Sequence, residues 1–247
     1  MDIRVYSDAD ALGEFAGRQA AQLLRAAVAE RGGARLLLAT GLSQVTTLAT
    51  LVAEPVPWER VTAFHLDEYV GLPADHPASF RRYLRERFAS RVGLAEMHFL
   101  DADGDLEAVI AEAGRAVGLA PVDVALIGIG ENAHIAFNDP PADLDTHAPY
   151  LVVRLAPECR AQQAREGWFP SPDAVPAHAV TMSVNQILQS RAIISAVPYA
   201  AKARAVRLAL TAPVGPDVPA ATLRTHPNWT LHLDRESSAE VPAQLLP

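Results

Sequence analysis

The chain has 247 residues, half of them apolar and 20% charged, with 21 basic against 29 acidic side chains for a net charge of −8. That composition supplies a buried core and excludes disordered, collagen-like and coiled-coil classes, and the negative balance has the wrong sign for a nucleic-acid binder. No apolar run approaches the roughly 20 residues that span a bilayer, the start MDIRVYSDAD is acidic, and the single cysteine, Cys159, has no internal disulfide partner, so a cytoplasmic protein with no membrane attachment or targeting segment is expected.

In chain order, apolar and alanine residues recur at helical spacing from Asp8 to Arg31, with Ser7 or Asp8 as N-cap. The run LLLAT, Leu36 to Thr40, reads as a strand buried on both faces, followed by a helix to about Ala53. The unit repeats with a strand over Val61–Leu66, a loop and an arginine-rich helix near Ser79–Val92, then a strand at Met97–Leu100 and a helix near Leu106–Val117. Further strands are expected at Val122–Gly130, Leu151–Ala156, His178–Val184, Arg191–Val197 and Trp229–Leu233, with a helix over Lys202–Leu210 and a proline-rich linker over Ala212–Ala220. Alternating strands and helices predict a three-layer α/β/α, Rossmann-like fold with a mostly parallel sheet, and no break in composition divides residues 1–247 into more than a single domain.

Ligands of open α/β sheets bind beyond the carboxyl ends of the strands, and four of these ends carry unusual polar residues. Thr40-Gly41-Leu42-Ser43-Gln44 joins a strand to a helix through a glycine turn with two hydroxyls, which suits an anion such as phosphate but also an ordinary serine-capped turn. Asp67 and Glu68 follow an apolar strand; adjacent carboxylates suit proton transfer, or a surface turn. In the loop Gly128 to Pro141, His134 lies after Gly130 and Asn132 and five residues before Asp139, which could fix the imidazole tautomer for general acid–base work. The fourth end carries Lys202, the only lysine in the chain, at a helix start where a cation opposes the helix dipole unless an anion is present.

Other motifs are missing: the eight histidines include no HExxH, there is no CxxC, and GIGENAH lacks the third glycine of GxGxxG. Neither GxxxxGK[ST] nor GxSxG occurs. A zinc site, a nucleotide site and a serine hydrolase are therefore disfavoured.

The strings TGLSQ, DEYVG followed by HPASF, GIGENAHIAFNDP and the late lysine, in this order, resemble the glucosamine-6-phosphate deaminase (isomerase) family, over about Leu36 to Asp234. The resemblance implies an enzyme that opens the ring of glucosamine 6-phosphate, moves a proton between C2 and C1 and releases fructose 6-phosphate and ammonia. It implies Asp67 as the proton carrier, His134 as the ring-opening group with Asp139 and Asn132 beside it, and phosphate on residues Thr40 to Gln44 with Glu68, Gly130, Lys202 and Arg165 nearby. The partner is then a small hexosamine phosphate, no metal or organic cofactor is required, and the oligomeric state stays open. The expected class covers isomerases and hydrolases, with three alternatives: an enzyme for another hexosamine phosphate, a 6-phosphogluconolactonase-type hydrolase, and a non-catalytic sugar-phosphate sensor. Asn132-Ala133-His134 stands where the family often has Asp-Gly-His, Asp139 where it often has Glu, and Leu42 where it has glycine.

Overall fold

The computed structural model describes residues 1–247. In chain order the elements are β1 (Asp2–Tyr6), α1 (Ala9–Arg31), β2 (Ala34–Leu38), α2 (Val45–Ala53), β3 (Val61–His65), β4 (Asp67–Tyr69), α3 (Phe80–Leu84), β5 (Glu96–His98) and α4 (Leu106–Gly118). They continue with β6 (Val124–Leu126), β7 (Tyr150–Arg154), α5 (Pro157–Arg165), β8 (His178–Met182), α6 (Val184–Leu188), β9 (Ala192–Val197), α7 (Ala203–Thr211) and β10 (Trp229–Asp234). Seven strands form one sheet in the order β1-β10-β9-β6-β2-β3-β5, every pair parallel.

Both faces of this sheet are buried, which explains the near-continuous apolar runs. Leu36 and Leu38 pack toward Leu12, Leu24 and Leu48 of α1 and α2, whereas Leu37 and its neighbours Ala125 and Ile127 pack toward Val117, Val206 and Ala209 of α4 and α7. The expected α/β/α layers and mostly parallel sheet are what the chain forms. From β2 the chain winds outward through β3 to β5, and from β6 it winds the other way through β9 and β10. The switch point between β2 and β6 opens a crevice at their carboxyl ends.

The departures from the expected elements are local. Leu151–Ala156 and His178–Val184 do not join the main sheet: β7 and β8 pair antiparallel, and β4 adds to β8, in a separate three-stranded sheet. The half-exposed alternation along β7 is the pattern of an antiparallel strand with one solvated face. The segment DEY is thus a strand rather than a polar turn. The helix expected over Ser79–Val92 ends at Leu84 and continues as a wider π-type turn over Arg85–Ala89. Besides β4, three elements were not anticipated: β1, a half-exposed edge strand, α5, whose sequence PECRAQQAR has little amphipathic contrast, and the five-residue α6.

Candidate active site

A single cavity lies at the switch point, and segments following β2, β3, β6 and β9 all reach it. Thr40, Gly41, Leu42 and Ser43 line it with Asp67, Gly130, His134 and Lys202.

The turn after β2 is held from behind. Gly41 has φ 93°, a conformation that glycine adopts without a Cβ clash, and its carbonyl accepts from Tyr83 Oη at 2.9 Å. Gln44, expected among the binding residues, is fully buried behind the turn: its Nε2 donates to Ser43 Oγ at 3.1 Å and to the Ala196 carbonyl at 3.2 Å. Because Ser43 Oγ accepts that bond, its own hydrogen is left for the cavity. Lys202 ends the short turn Ala200–Lys202 before α7, is 7% exposed and makes no ion pair. Burial lowers its pKa, against the opposing pull of Glu166 and Glu131.

Asp67 and Glu68 face opposite ways, as neighbours on a strand must. The Asp67 carboxylate is 5% exposed, looks into the cavity and accepts no hydrogen bond; burial, with a smaller contribution from the Glu68 charge, raises its pKa well above the ordinary value. Glu68 is a correction to the expected binding set. Its carboxylate is turned away from the cavity and accepts from the backbone N–H groups of Tyr69 (2.9 Å), Phe80 (3.1 Å) and Arg81 (2.7 Å) and from Ser79 Oγ (3.0 Å), so it caps the start of α3. Its own pKa is raised, burial outweighing those donors.

His134 sits between two residues in left-handed conformation, Ala133 (φ 66°) and Ala136 (φ 51°). Its ring lies over Gly130 so closely that a Cβ there would stand 2.2 Å from Cε1 and Nε2. His134 Nδ1 is 3.0 Å from Asp139 Oδ1, obliquely enough that it makes no straight hydrogen bond, and Nε2 has no protein partner. Asp139 and Asn132 stand behind the imidazole rather than on the cavity wall. Asn132 Nδ2 donates to Asp139 Oδ1 at 2.9 Å, its Oδ1 accepts from His134 N at 3.1 Å, and Ala156 N donates to Asp139 Oδ2 at 2.8 Å. Burial pushes the Asp139 pKa up, but His134, Asn132 and Ala156 together hold it below the ordinary value.

Arg165 is the second correction. It is exposed at the end of α5, its guanidinium pairs with Glu131, and it does not line the cavity. The sequence reading also missed one polar wall, formed by Glu131, Gln162, Gln163, Glu166 and Tyr199. Gln162 ties it together, accepting from Glu131 N at 3.0 Å and donating to Glu166 Oε1 at 2.7 Å. Only position gave a signal for it: Tyr199, at φ 81°, follows β9 three residues before Lys202.

The one cluster with metal-ligand elements is His134, Asp139 and Cys159, whose ligand atoms lie within 4.8 Å of one another. Burial pushes the Cys159 thiol far up, leaving it neutral, and Asp139 is already engaged by its donors, so the trio is a poor fit for a cation.

The family of Glucosamine-6-phosphate isomerases/6-phosphogluconolactonase matches residues 7–231. The chain belongs to that family. A glucosamine-6-phosphate deaminase from Geobacillus sp. (strain WCH70) is 35% identical over 237 residues, 93% of each chain. The solved structure of a monomeric glucosamine-6-phosphate deaminase superposes with a TM-score of 0.89 at 32% identity, covering 97% of this chain and all of that one. A 6-phosphogluconolactonase from Shewanella baltica OS155 shares the fold at a TM-score of 0.77 and 21% identity, covering 95% of this chain and 97% of its own. Within the family the more similar proteins are the deaminases, which corrects the expectation of a hydrolase: the lactonase resembles this chain in fold alone.

Proposed function

We propose that this chain is a glucosamine-6-phosphate deaminase, an isomerase of amino-sugar metabolism acting as one domain over residues 1–247 on a small hexosamine phosphate in the cytoplasm. The observation that carries the reading is the pairing in one cavity of a carboxylate with no hydrogen-bond partner, Asp67, and an imidazole backed by an acid, His134, beside a hydroxyl-bearing turn and a buried lysine. Relatives named as glucosamine-6-phosphate deaminases at about a third identity support it.

The phosphate sits on Thr40 to Ser43, where backbone amides, the Ser43 hydroxyl and Lys202 complement its charge. This fixes the sugar with its ring carbons between Asp67 and His134. His134 Nε2 takes the proton of the C1 hydroxyl and delivers it to the ring oxygen, opening the pyranose to the aldehyde. Asp67, as the carboxylate, takes the proton from C2, and the electron pair passes through an enediol-like intermediate bearing the amino group. Return of the proton to C1, with a proton of the amino group passing to O1, leaves an imine at C2; water adds there and ammonia leaves, giving fructose 6-phosphate.

The test is to incubate the purified protein with glucosamine 6-phosphate and measure ammonia and fructose 6-phosphate, with galactosamine 6-phosphate alongside. Equal amounts of both products from the glucosamine substrate are expected. No ammonia from glucosamine 6-phosphate would overturn the proposal, and turnover of the galactosamine epimer alone would redirect it to another hexosamine.

A further inference from the structure

Asp67 and His134 belong to separate segments: Asp67 begins β4, and His134 lies in the loop between β6 and β7. What holds one at a fixed place relative to the other is a pair of consecutive residues on β8. Thr181 is the register partner of Asp67 across the small sheet, and Met182 N donates to the Leu66 carbonyl at 3.0 Å. On their other side the same two residues grip the histidine loop. Thr181 Oγ1 accepts from Phe137 N at 3.0 Å, and the Met182 carbonyl accepts from Asn138 Nδ2 at 2.9 Å, a group that also donates to the Ile135 carbonyl at 2.9 Å.

We infer that Thr181 is a positioning residue that sets the separation of the two acid–base groups, its hydroxyl oxygen joining the strand of Asp67 to the loop of His134. The inference rests on the proposed roles of those two groups. Thr181 is completely buried and away from the cavity lining, so it touches no substrate. The loop it grips holds Ala133 and Ala136 at positive φ, a conformation that persists only where surrounding contacts over-determine it. Within Ile135–Asn138 the Phe137 N–H has Thr181 Oγ1 as its acceptor, and a buried N–H left without one favours another loop conformation. The phosphate turn hangs from Gln44 and Tyr83 instead, and does not depend on this hydroxyl.

Thr181→Val keeps the shape and removes the acceptor; Thr181→Ser keeps the acceptor and removes a methyl group. In the full chain, Thr181→Val is expected to lower kcat for glucosamine 6-phosphate by about tenfold or more, because displacement of a positioned group acts on the chemical step. KM and competitive inhibition by inorganic phosphate should stay within about twofold, and Thr181→Ser should restore most of kcat. Hydrogen exchange of the peptide covering residues 133–138 should rise in the valine variant and not in the serine variant. Wild-type kcat in Thr181→Val overturns the inference. So does a kcat loss of equal size in Thr181→Ser, or one accompanied by weakened phosphate inhibition, since these mark general damage. If Thr181→Val does not fold, Thr181→Cys, of similar volume and with a weak acceptor, takes its place. If the wild-type protein releases no ammonia, the proposed activity has failed separately, and unchanged exchange over 133–138 in the valine variant then overturns the clamp.

Discussion

The imidazole of His134 occupies the space that a side chain on residue 130 would fill: a Cβ there would lie 2.2 Å from His134 Cε1 and Nε2 and 2.5 Å from Cδ2. Gly130 is therefore required by contact with the ring, since its φ is not in the left-handed region. Gly130→Ala should push the imidazole out of place and lower kcat by about 10²-fold, the scale expected for displacing a catalytic group by about 1 Å. Steady-state kinetics with glucosamine 6-phosphate, alongside inhibition by inorganic phosphate, checks this; phosphate inhibition should be unchanged, because the anion turn lies on another segment.

Asp67 ties activity against stability. Its folded-state pKa is raised, so the stability linked to its protonated form is fully present below the unfolded value of about 3.9 and is lost as pH rises through the higher folded value. Above that pH a buried carboxylate is ionised with no donor on it. Asp67→Asn should abolish turnover and raise the melting temperature at neutral pH, by about 2–4 °C for each kcal/mol recovered in a chain of this size. The gain should shrink as pH is lowered toward 4. Thermal melts of both proteins across that range decide it; a variant that melts lower than wild type at pH 7 would contradict the burial cost assigned to Asp67.

Asp139 carries the opposite sign. Its pKa is held down, so it contributes stability above the unfolded value, and that contribution is lost as pH falls through the lower folded value. Asp139→Asn must turn an amide N–H toward one of the donors now supplied by Asn132 and Ala156. The expected result is a kcat about 10²- to 10⁴-fold lower, the range for losing a carboxylate that orients a catalytic imidazole. Melts at pH 7 should show a loss of stability that narrows below pH 4.

Lys202 should govern binding rather than chemistry. Lys202→Met is expected to raise KM by about 10- to 100-fold with kcat within about threefold, the pattern for removing an interaction equal in ground and transition states. Because burial lowers the lysine pKa, inhibition of the wild-type protein by inorganic phosphate should weaken at a pH below that at which a solvated lysine deprotonates. Inhibition constants measured from pH 7 to 10 test this, and the methionine variant should lack that alkaline weakening.

The amino-acid order alone determined the alternation that builds the sheet and, through the residues after each apolar run, most of the cavity wall. Thr40, Asp67, His134 and Lys202 were legible because a parallel strand buried on both faces leaves its first polar residues at the carboxyl end, where open sheets bind ligands. Helical periodicity and the Asp8 cap likewise gave α1 almost to the residue. Tertiary structure decided what each polar side chain does there. Glu68 and Asp67 are indistinguishable in sequence, yet strand alternation sends one into a helix cap and the other into the cavity. Arg165 and Glu131, far apart along the chain, neutralise one another, and α5 brings Gln162 and Glu166 to the site with no apolar stripe to announce it. Local pattern records where apolar area must go; the partner of a charge depends on which distant segment folds against it, and spacing along the chain carries no record of that.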